Sequence, residues 1–225
     1  MTSNSSLSVI PVIAIDGPSA SGKGTVAQLV AERLNFNYLD SGVLYRIVAF
    51  AAYKNNTAWS DADKLGELAK SLKIQFNQNE IYLDGDRITE AVRSEEMSRG
   101  ASEVAIHPPV RHALLGLQRS FRQAPGLVGD GRDMGSVIFK DAVLKIFLTA
   151  SVQVRAERRY KQLINKGLSA NYAQILADLQ SRDERDSQRS AAPLIQTADA
   201  LLLETTECSI EQAVQFVLNT YQKLQ

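Results

Sequence analysis

The sequence predicts an α/β fold, a three-layer sandwich in which a five-stranded parallel sheet lies between helices. Five short apolar runs lack strict in–out alternation, as expected for strands that helices cover on both faces. Helix-like segments separate these runs along the chain, which is the order that builds a parallel sheet. Hydrophobic residues make up 44% and charged residues 22% of the 225 residues, so the chain can bury a core of this size.

The predicted strands are short runs bounded by polar or turn-forming residues. They are residues 12–16, 38–40, 127–130, 144–149 and 200–205. The predicted helices fill the intervals between them. They are residues 22–34, 42–54, 61–72, 95–105, 110–122, 152–166, 170–188 and 210–224. The last helix has a clear start, because Ser209 can cap it and Gln212, three residues later, completes a capping box.

Residues 73–89 interrupt the alternation of strands and helices. Apolar residues alternate with polar ones there, and turn-forming residues follow at 77–79 and again at 84–86, where the sequence reads Asp-Gly-Asp. This pattern predicts a small antiparallel sheet inserted into the α/β core.

Charge and cysteine content exclude several classes of protein. Lys plus Arg and Asp plus Glu each total 25, so a neutral chain has no global field that would draw it to nucleic acid or to an anionic membrane. A single cysteine, Cys208, and two histidines exclude disulfide scaffolds and zinc modules. Residues 1–8 are polar without a basic or long apolar run, and no apolar stretch approaches the ~20 residues of a membrane span. We expect a soluble, cytoplasmic protein.

The first predicted strand runs directly into a glycine-rich loop and then into a helix. The loop matches G-x-x-x-x-G-K and comprises Gly17, Pro18, Ser19, Ala20, Ser21, Gly22, Lys23, Gly24 and Thr25. Glycines let several backbone N–H groups point at one anion, the helix N-terminus adds its positive dipole end, and Lys23 can reach terminal phosphates. The motif predicts that the chain binds a nucleoside triphosphate, against the alternative of a Gly/Ser turn that merely begins a helix. The residue after the lysine, where the simple motif has a Mg²⁺-binding Ser or Thr, is Gly24, and the hydroxyl comes one residue later at Thr25.

Arginines outside the loop suit a protein that holds polyanions. They are Arg46, Arg111, Arg132, Arg155, Arg158, Arg159, Arg182, Arg185 and Arg189. Three of them, at 155, 158 and 159, share one helical face, residues 165–167 break that helix, and positions 182, 186 and 189 share a face of the next. Two helices with inward arginines predict a lid that closes over phosphate and expels water. The alternative is a pair of solvent-exposed helices stabilised by ion pairs on their surface, such as Arg182 with Asp186.

Several motifs together resemble one family. They are the G-K-G-T form of the loop, Asp40-Ser41-Gly42 with Tyr45-Arg46, the run from Asp130 to Gly135, and Arg182-Asp183-Glu184-Arg185-Asp186 with Arg189. From about residue 12 to the C-terminus the chain resembles the bacterial cytidylate kinases, which are P-loop nucleoside monophosphate kinases. The resemblance implies one domain, with a core at about 9–72 and 107–225, an acceptor-binding insert at about 73–106 and a lid at about 151–190. It implies the reaction of ATP with CMP or dCMP to give ADP and CDP or dCDP, with Mg²⁺.

The resemblance also assigns site residues. The catalytic candidates are Lys23, Arg132, Arg155, Arg158 and Arg159, and the donor nucleotide would bind the loop from Gly17 to Thr25. The acceptor-binding candidates are Ser41, Arg46, Ser102, Arg111, Asp133, Arg182, Asp186 and Arg189. Ser102, Arg111 and Asp133 would read the cytosine edge, Arg182 and Asp186 the pentose, and Arg46 the phosphate.

Chemistry supports the carboxylate as the base selector. Cytosine presents an amino group, a hydrogen-bond donor, where uracil presents a carbonyl oxygen. The Asp133 carboxylate can therefore accept a hydrogen bond from cytosine, whereas it repels the oxygen of uracil. The alternatives for Asp133 are a local cap or an ion pair with Arg132. No side chain is predicted as a direct metal ligand. Asp130 is expected to organise Mg²⁺ through water. Asp16, at the end of the first strand, fits a structural role equally well, and the two histidines receive no role.

Three other functions stay open on the sequence. A GTPase-like switch is disfavoured because N-K-x-D is missing, since residues 165–168 read Asn-Lys-Gly-Leu. A kinase of another acceptor, such as AMP, UMP or shikimate, is disfavoured by Asp133 and the inserted sheet. A scaffold without catalysis is disfavoured by Lys23 and the lid arginines. We expect a monomer whose partners are small nucleotides.

Overall fold

The computed structural model describes residues 10–77 and 80–225, so the expectations for residues 1–8 and for Gln78 and Asn79 lie outside it. The strands are β1 Val12–Asp16, β2 Asn37–Asp40, β3 Ile74–Asn77, β4 Glu80–Leu83, β5 Asp86–Arg87, β6 Leu127–Gly131, β7 Leu144–Thr149 and β8 Leu201–Glu204. The helices are α1 Lys23–Leu34, α2 Ser41–Lys54, α3 Ala62–Ser71, α4 Thr89–Val92, α5 Glu95–Val104, α6 Pro108–Ser120, α7 Val152–Asn165, α8 Tyr172–Gln188 and α9 Ile210–Gln222.

The main sheet confirms the predicted architecture. Its order is β2-β6-β1-β7-β8, and every neighbouring pair of strands is parallel. The predicted bounds of β1 and β7 match the structure, β2 and β6 differ from prediction by one residue at one end, and β8 is shorter by one residue at each end. Parallel strands bring their carboxyl ends to one edge of the sheet, which is where α/β proteins bind ligands.

The alternating residues of β1 divide the core between the two faces of the sheet. Val12 and Ala14 belong to the apolar cluster that α2, α3, α5 and α6 cover. Ile13 and Ile15 belong to the cluster covered by α1 and α9. All four side chains are fully buried, so neither face of the strand is exposed to solvent at these positions. Helices therefore cover the sheet on both faces, which is the three-layer sandwich.

The insert is confirmed as a separate antiparallel sheet of order β3-β4-β5. Asp84 and Gly85 form its second turn, with φ angles of +52° and +92° that match a two-residue hairpin connection. The capping box at Ser209 and Gln212 is also present.

A π-helical turn at Met134–Ile138 was not predicted. It depends on Asp16, at the end of β1, whose two carboxylate oxygens accept the backbone N–H groups of Met134 and Gly135 at 2.8 Å each. This confirms the structural role that the sequence left open for Asp16. The turn follows Asp133 directly and fixes where that side chain enters the site.

Asp16 should make stability depend on pH. Burial raises the pKa of Asp16 from 3.8 to about 6, although its two backbone donors act in the opposite direction. Between these values the folded protein keeps a proton that the unfolded chain releases, so the free energy of unfolding falls as pH rises. At ~1.4 kcal/mol per pKa unit this contribution is about 3 kcal/mol.

The Asp16→Asn variant isolates this effect in urea unfolding at about pH 4 and about pH 6.5. From pH 4 to pH 6.5 the free energy of unfolding of wild type should fall by about 2 kcal/mol relative to that of the variant, most of the full contribution. Asp141→Asn is the control, because Arg122 holds the pKa of the exposed Asp141 below its usual value, and its difference should not move that way. A constant difference for Asp16→Asn would contradict the prediction.

No helix within residues 10–77 and 80–225 is both long enough and apolar enough to cross a membrane.

Candidate active site

The glycine-rich loop joins β1 to α1 at the carboxyl edge of the sheet, and two of its glycines are required by geometry. A Cβ on Gly17 would lie 1.9 Å from the backbone oxygen of Leu148, so only glycine lets the loop pass β7. Gly22 caps α1 with a φ of +94°, a left-handed conformation that glycine adopts without strain. Lys23 is therefore the first residue of α1, beside the free N–H groups of the helix.

The loop opens into a cleft of about 910 Å³. Seven of the nine predicted loop residues, Ser19 to Thr25, line it. Gly17 and Pro18 do not line it but support the loop, since the Gly17 N–H donates to Gly131 O and Pro18 O lies 3.4 Å from Lys23 Nζ. All eight predicted acceptor residues also line the cleft: Ser41, Arg46, Ser102, Arg111, Asp133, Arg182, Asp186 and Arg189.

Lys23 and Asp130 form the electrostatic centre at the loop. Burial lowers the pKa of the Lys23 ammonium and nearby Arg132 lowers it further, whereas Asp130 opposes both. Burial raises the pKa of Asp130, whose Oδ1 accepts a 2.7 Å hydrogen bond from Tyr38. A half-buried lysine beside a helix N-terminus, with Arg132 close by, is well placed to meet a polyanion.

Asp133 lies at the other end of the cleft, in contact with Arg111. The two side chains form a buried ion pair through Asp133 Oδ2, and Asp133 is only 3% exposed. Arg111 also lies over the ring of Tyr45, with its guanidinium carbon 5.6 Å from the ring centre. The alternative in which Asp133 pairs with Arg132 is wrong, because Arg132 Nε donates to Asp186 instead. Ser102 Oγ is buried in the same cleft with no hydrogen-bond partner among the described residues.

Arg132 joins the loop to the second lid helix. Its Nη2 donates to Ser19 Oγ and its Nε to Asp186 Oδ2, both at 2.7 Å. Burial alone would raise the pKa of Asp186, but Arg132 and Arg182 hold it below its usual value. Asp186 therefore does not form the surface pair with Arg182 that the solvated-helix alternative requires, and its partners are Arg132 and Arg189.

Ser98 is a site residue that the sequence analysis missed. Its hydroxyl oxygen accepts from Arg46 Nη2 at 3.2 Å and from Arg182 Nη1 at 2.9 Å, so it joins α2, α5 and α8. Burial, together with other arginines, lowers the pKa of Arg46 and lowers that of Arg182 to about 9. Two guanidinium groups held together on a neutral hydroxyl, which Asp40 and Asp186 compensate only in part, form a positive region that suits a phosphate. The available signal was its spacing of four residues from Ser102, which puts both on one face of α5.

The first lid helix, α7, holds its three predicted arginines in different ways. Arg158 donates to the backbone oxygens of Ser21 and Thr205 at 3.0 and 2.5 Å while still lining the cleft. Arg159 lines the cleft and pairs with Glu95 at the start of α5. Arg155 differs from both, because it does not line the cleft.

Few side chains are available to a metal ion. The described parts of the chain hold no cluster of three or more His, Cys, Asp or Glu positioned for one. Thr25, at the end of the loop, is exposed, and the Asp130 carboxylate lies beside the loop, since a Cβ on Gly24 would lie 3.7 Å from Asp130 Oδ2. These groups fit a Mg²⁺ ion carried mainly by nucleotide phosphates and water.

The fold and the cleft define a P-loop kinase, an enzyme that transfers a phosphoryl group. The family model for cytidylate kinase matches residues 13–223 of this chain. The chain belongs to the cytidylate kinase family.

Curated relatives agree over nearly the whole length. A cytidylate kinase of Polynucleobacter asymbioticus is 60% identical, with 96% of this chain and 98% of the relative covered. A cytidylate kinase of Chromobacterium violaceum is 56% identical, with 96% and 97% covered. Among solved structures, a gluconokinase of Sinorhizobium meliloti has a TM-score of 0.50 at 13% identity, with 96% of this chain and 94% of that chain covered. That structural likeness concerns the fold alone.

Proposed function

We propose that this protein transfers the γ-phosphoryl group of ATP to CMP or dCMP, giving ADP and CDP or dCDP for pyrimidine nucleotide metabolism in the cytoplasm. The buried Arg111–Asp133 pair carries the proposal, because it offers a base-reading carboxylate in the same cleft as the phosphate-binding loop. The catalytic and binding assignments made from the sequence remain part of the proposal, except that Arg155 lies outside the cleft and joins Ser19 of the loop to Asp183 of α8 instead of contacting phosphate.

At the donor end, the loop N–H groups and Lys23 would hold the phosphates of ATP. The start of α1 and the electropositive cluster of Lys23 and Arg132 favour a polyanion there. Positioning and charge neutralisation supply most of the catalysis in phosphoryl transfer, so a site built largely of fixed cations suits the reaction.

At the acceptor end, Arg46 would hold the phosphate of the monophosphate and Arg182 the neighbouring pentose, and Ser98 positions both side chains. Asp133 would accept a hydrogen bond from the cytosine amino group, and Arg111 would donate a hydrogen bond to the base. Asp186 would face the pentose, and its second role, as the partner of Arg132, ties this end to the loop.

Mg²⁺ would be held by the donor phosphates, with Thr25 and Asp130 binding its water ligands. When bound, the ion would neutralise charge on the β- and γ-phosphates. Gly24, in place of a hydroxyl residue, leaves the loop without the usual direct ligand, and Thr25 is the nearest substitute.

The test is ADP formation from Mg-ATP with CMP, dCMP, UMP, AMP and GMP supplied separately. We expect turnover confined largely to CMP and dCMP. Lys23→Met protein purified in parallel is the control for contaminating kinases. Equal use of UMP would leave a kinase but remove the role of Asp133. Absence of stimulation by any acceptor would point to a nucleotide switch or a scaffold instead.

A further inference from the structure

The side of the loop at Gly24 faces two oxygen atoms that come from other strands. A Cβ on Gly24 would lie 3.6 Å from the hydroxyl oxygen of Tyr38 and 3.7 Å from Asp130 Oδ2. Gly24 is part of α1 and has no positive φ, so its backbone conformation does not exclude a side chain. A serine or threonine here, as in the simple motif, would direct its side chain at these two oxygens. In this chain β2 and β6 bring a hydroxyl and a carboxylate to that side of the loop instead.

Tyr38 and Asp130 are joined to each other. Tyr38, on the edge strand β2, donates a 2.7 Å hydrogen bond to Asp130 Oδ1 on the neighbouring strand β6. The tyrosine ring packs against the apolar cluster that α1 and α9 cover, so the core fixes the direction of its hydroxyl. Asp130 lines the cleft, whereas Tyr38 does not. We therefore expect Tyr38 to influence a ligand through Asp130.

The second carboxylate oxygen of Asp130 is left for a ligand. In the part of the chain that the structure describes, Oδ2 accepts no hydrogen bond and Asp130 forms no ion pair, although the residue is only 5% exposed. Lys23 is close enough for Asp130 to raise its pKa, but its ammonium donates to Pro18 O. Asp40, at the paired position of β2, adds a second negative charge. A buried carboxylate oxygen without a donor is costly unless water or a ligand supplies one.

We propose that Tyr38 is a positioning residue, whose hydrogen bond holds Asp130 so that Oδ2 accepts from a water ligand of the Mg²⁺ on the donor phosphates, in place of the hydroxyl missing at Gly24. This rests on the proposed function. A neutral hydroxyl suits the task because it orients the carboxylate without neutralising its charge. Without that hydroxyl the carboxylate loses its fixed direction, because the terminal torsion of an aspartate has broad minima.

The test measures how much Mg²⁺ strengthens binding of the β,γ-imido analogue of ATP, by calorimetry with Mg²⁺ and with a chelator. In Tyr38→Phe this gain should be about ten-fold smaller than in wild type, the lower end of the effect of outer-shell partners on metal sites. Affinity without Mg²⁺ should be unchanged, which also shows that the variant is folded. Tyr221→Phe should keep the full gain. It is the matched control, because Tyr221 is a buried tyrosine of the same apolar cluster, outside the cleft, whose hydroxyl accepts from Gln225.

Two double variants separate positioning from a merely structural role. Asp130→Asn should lose the gain as well, and Tyr38→Phe/Asp130→Asn should lose no more than Asp130→Asn alone, because Tyr38 acts through that carboxylate. Gly24→Ser/Tyr38→Phe should recover part of the gain, since the serine hydroxyl would lie on the side of the loop from which the tyrosine hydroxyl has been removed.

An undiminished gain in Tyr38→Phe would overturn the proposal, and so would an equal loss of affinity with and without Mg²⁺, which is the result expected if Tyr38 only secures β2 to β6. Additive losses in the double variant with Asp130→Asn, or a wild type that gains nothing from Mg²⁺, would also overturn it. The measurement contains no acceptor. If wild type shows no acceptor-dependent turnover, the proposed function fails, while a smaller gain in Tyr38→Phe would still support the role of Tyr38.

Discussion

Replacing Lys23 with methionine should lower kcat for CMP phosphorylation about 1,000-fold. Lys23 is the first residue of α1, next to the loop, and removing one preplaced donor from an active site costs about 100- to 1,000-fold in kcat. We expect the upper end because the donor phosphates would hold this residue in its charged form and Lys23 would neutralise them. Steady-state kinetics with Mg-ATP and CMP measure the loss, and Lys140→Met, an exposed lysine outside the cleft, is the matched control.

The same substitution should not destabilise the protein. Burial lowers the pKa of Lys23, which means that folding disfavours its charged form. Within residues 10–77 and 80–225 its side chain makes one hydrogen bond, a long one to Pro18 O. Methionine fills similar space without that cost, so the free energy of unfolding in urea should equal or exceed that of wild type. A kcat within ten-fold of wild type would contradict the catalytic role, whereas a large loss of stability would show that Lys23 supports the fold.

The sheet could be predicted from the sequence because its signals are local. The strands β1 and β7 coincide with apolar runs whose ends can be read from the sequence. The start of α9 is marked by Ser209 and its capping partner Gln212, which lies only three residues later. The π-helical turn at Met134–Ile138 had no such signal, because the acceptor for its N–H groups, Asp16, lies far away in sequence. The four-residue helix α4 is likewise too short to carry a helical period.

In the candidate site, the same distinction separates what was predicted from what was not. The phosphate-binding loop is contiguous, so its pattern identifies it. Helical spacing correctly predicted that Arg155 and Arg159 share one face of α7. Long side chains on the same face can still extend in different directions. One reaches Ser19 and the other reaches Glu95. Which arginine remains free for a ligand depends on how the lid docks, and spacing along the chain does not contain that information.

Asp133→Asn should change the ratio of kcat/KM for CMP to that for UMP about 1,000-fold in favour of UMP. Arg111 has only donors, so it must keep the oxygen of the asparagine amide, and the NH₂ group then faces the base. The base would meet a donor where wild type presents an acceptor. Cytosine loses its partner and uracil gains one, and each change is worth about 10- to 100-fold.

Stability provides a second, independent check on this pair. Neutralising Asp133 leaves the Arg111 charge buried without its counter-ion, so the free energy of unfolding in urea should fall by about 3 kcal/mol. Asp141→Asn is the matched control, since Asp141 also pairs with an arginine, Arg122, at 2.7 Å but is exposed and outside the cleft. It should change neither the acceptor ratio nor, by more than about 1 kcal/mol, the stability. An unchanged ratio in Asp133→Asn, with the stability loss present, would make the carboxylate a structural partner of Arg111 and leave base selection to other groups in the cleft.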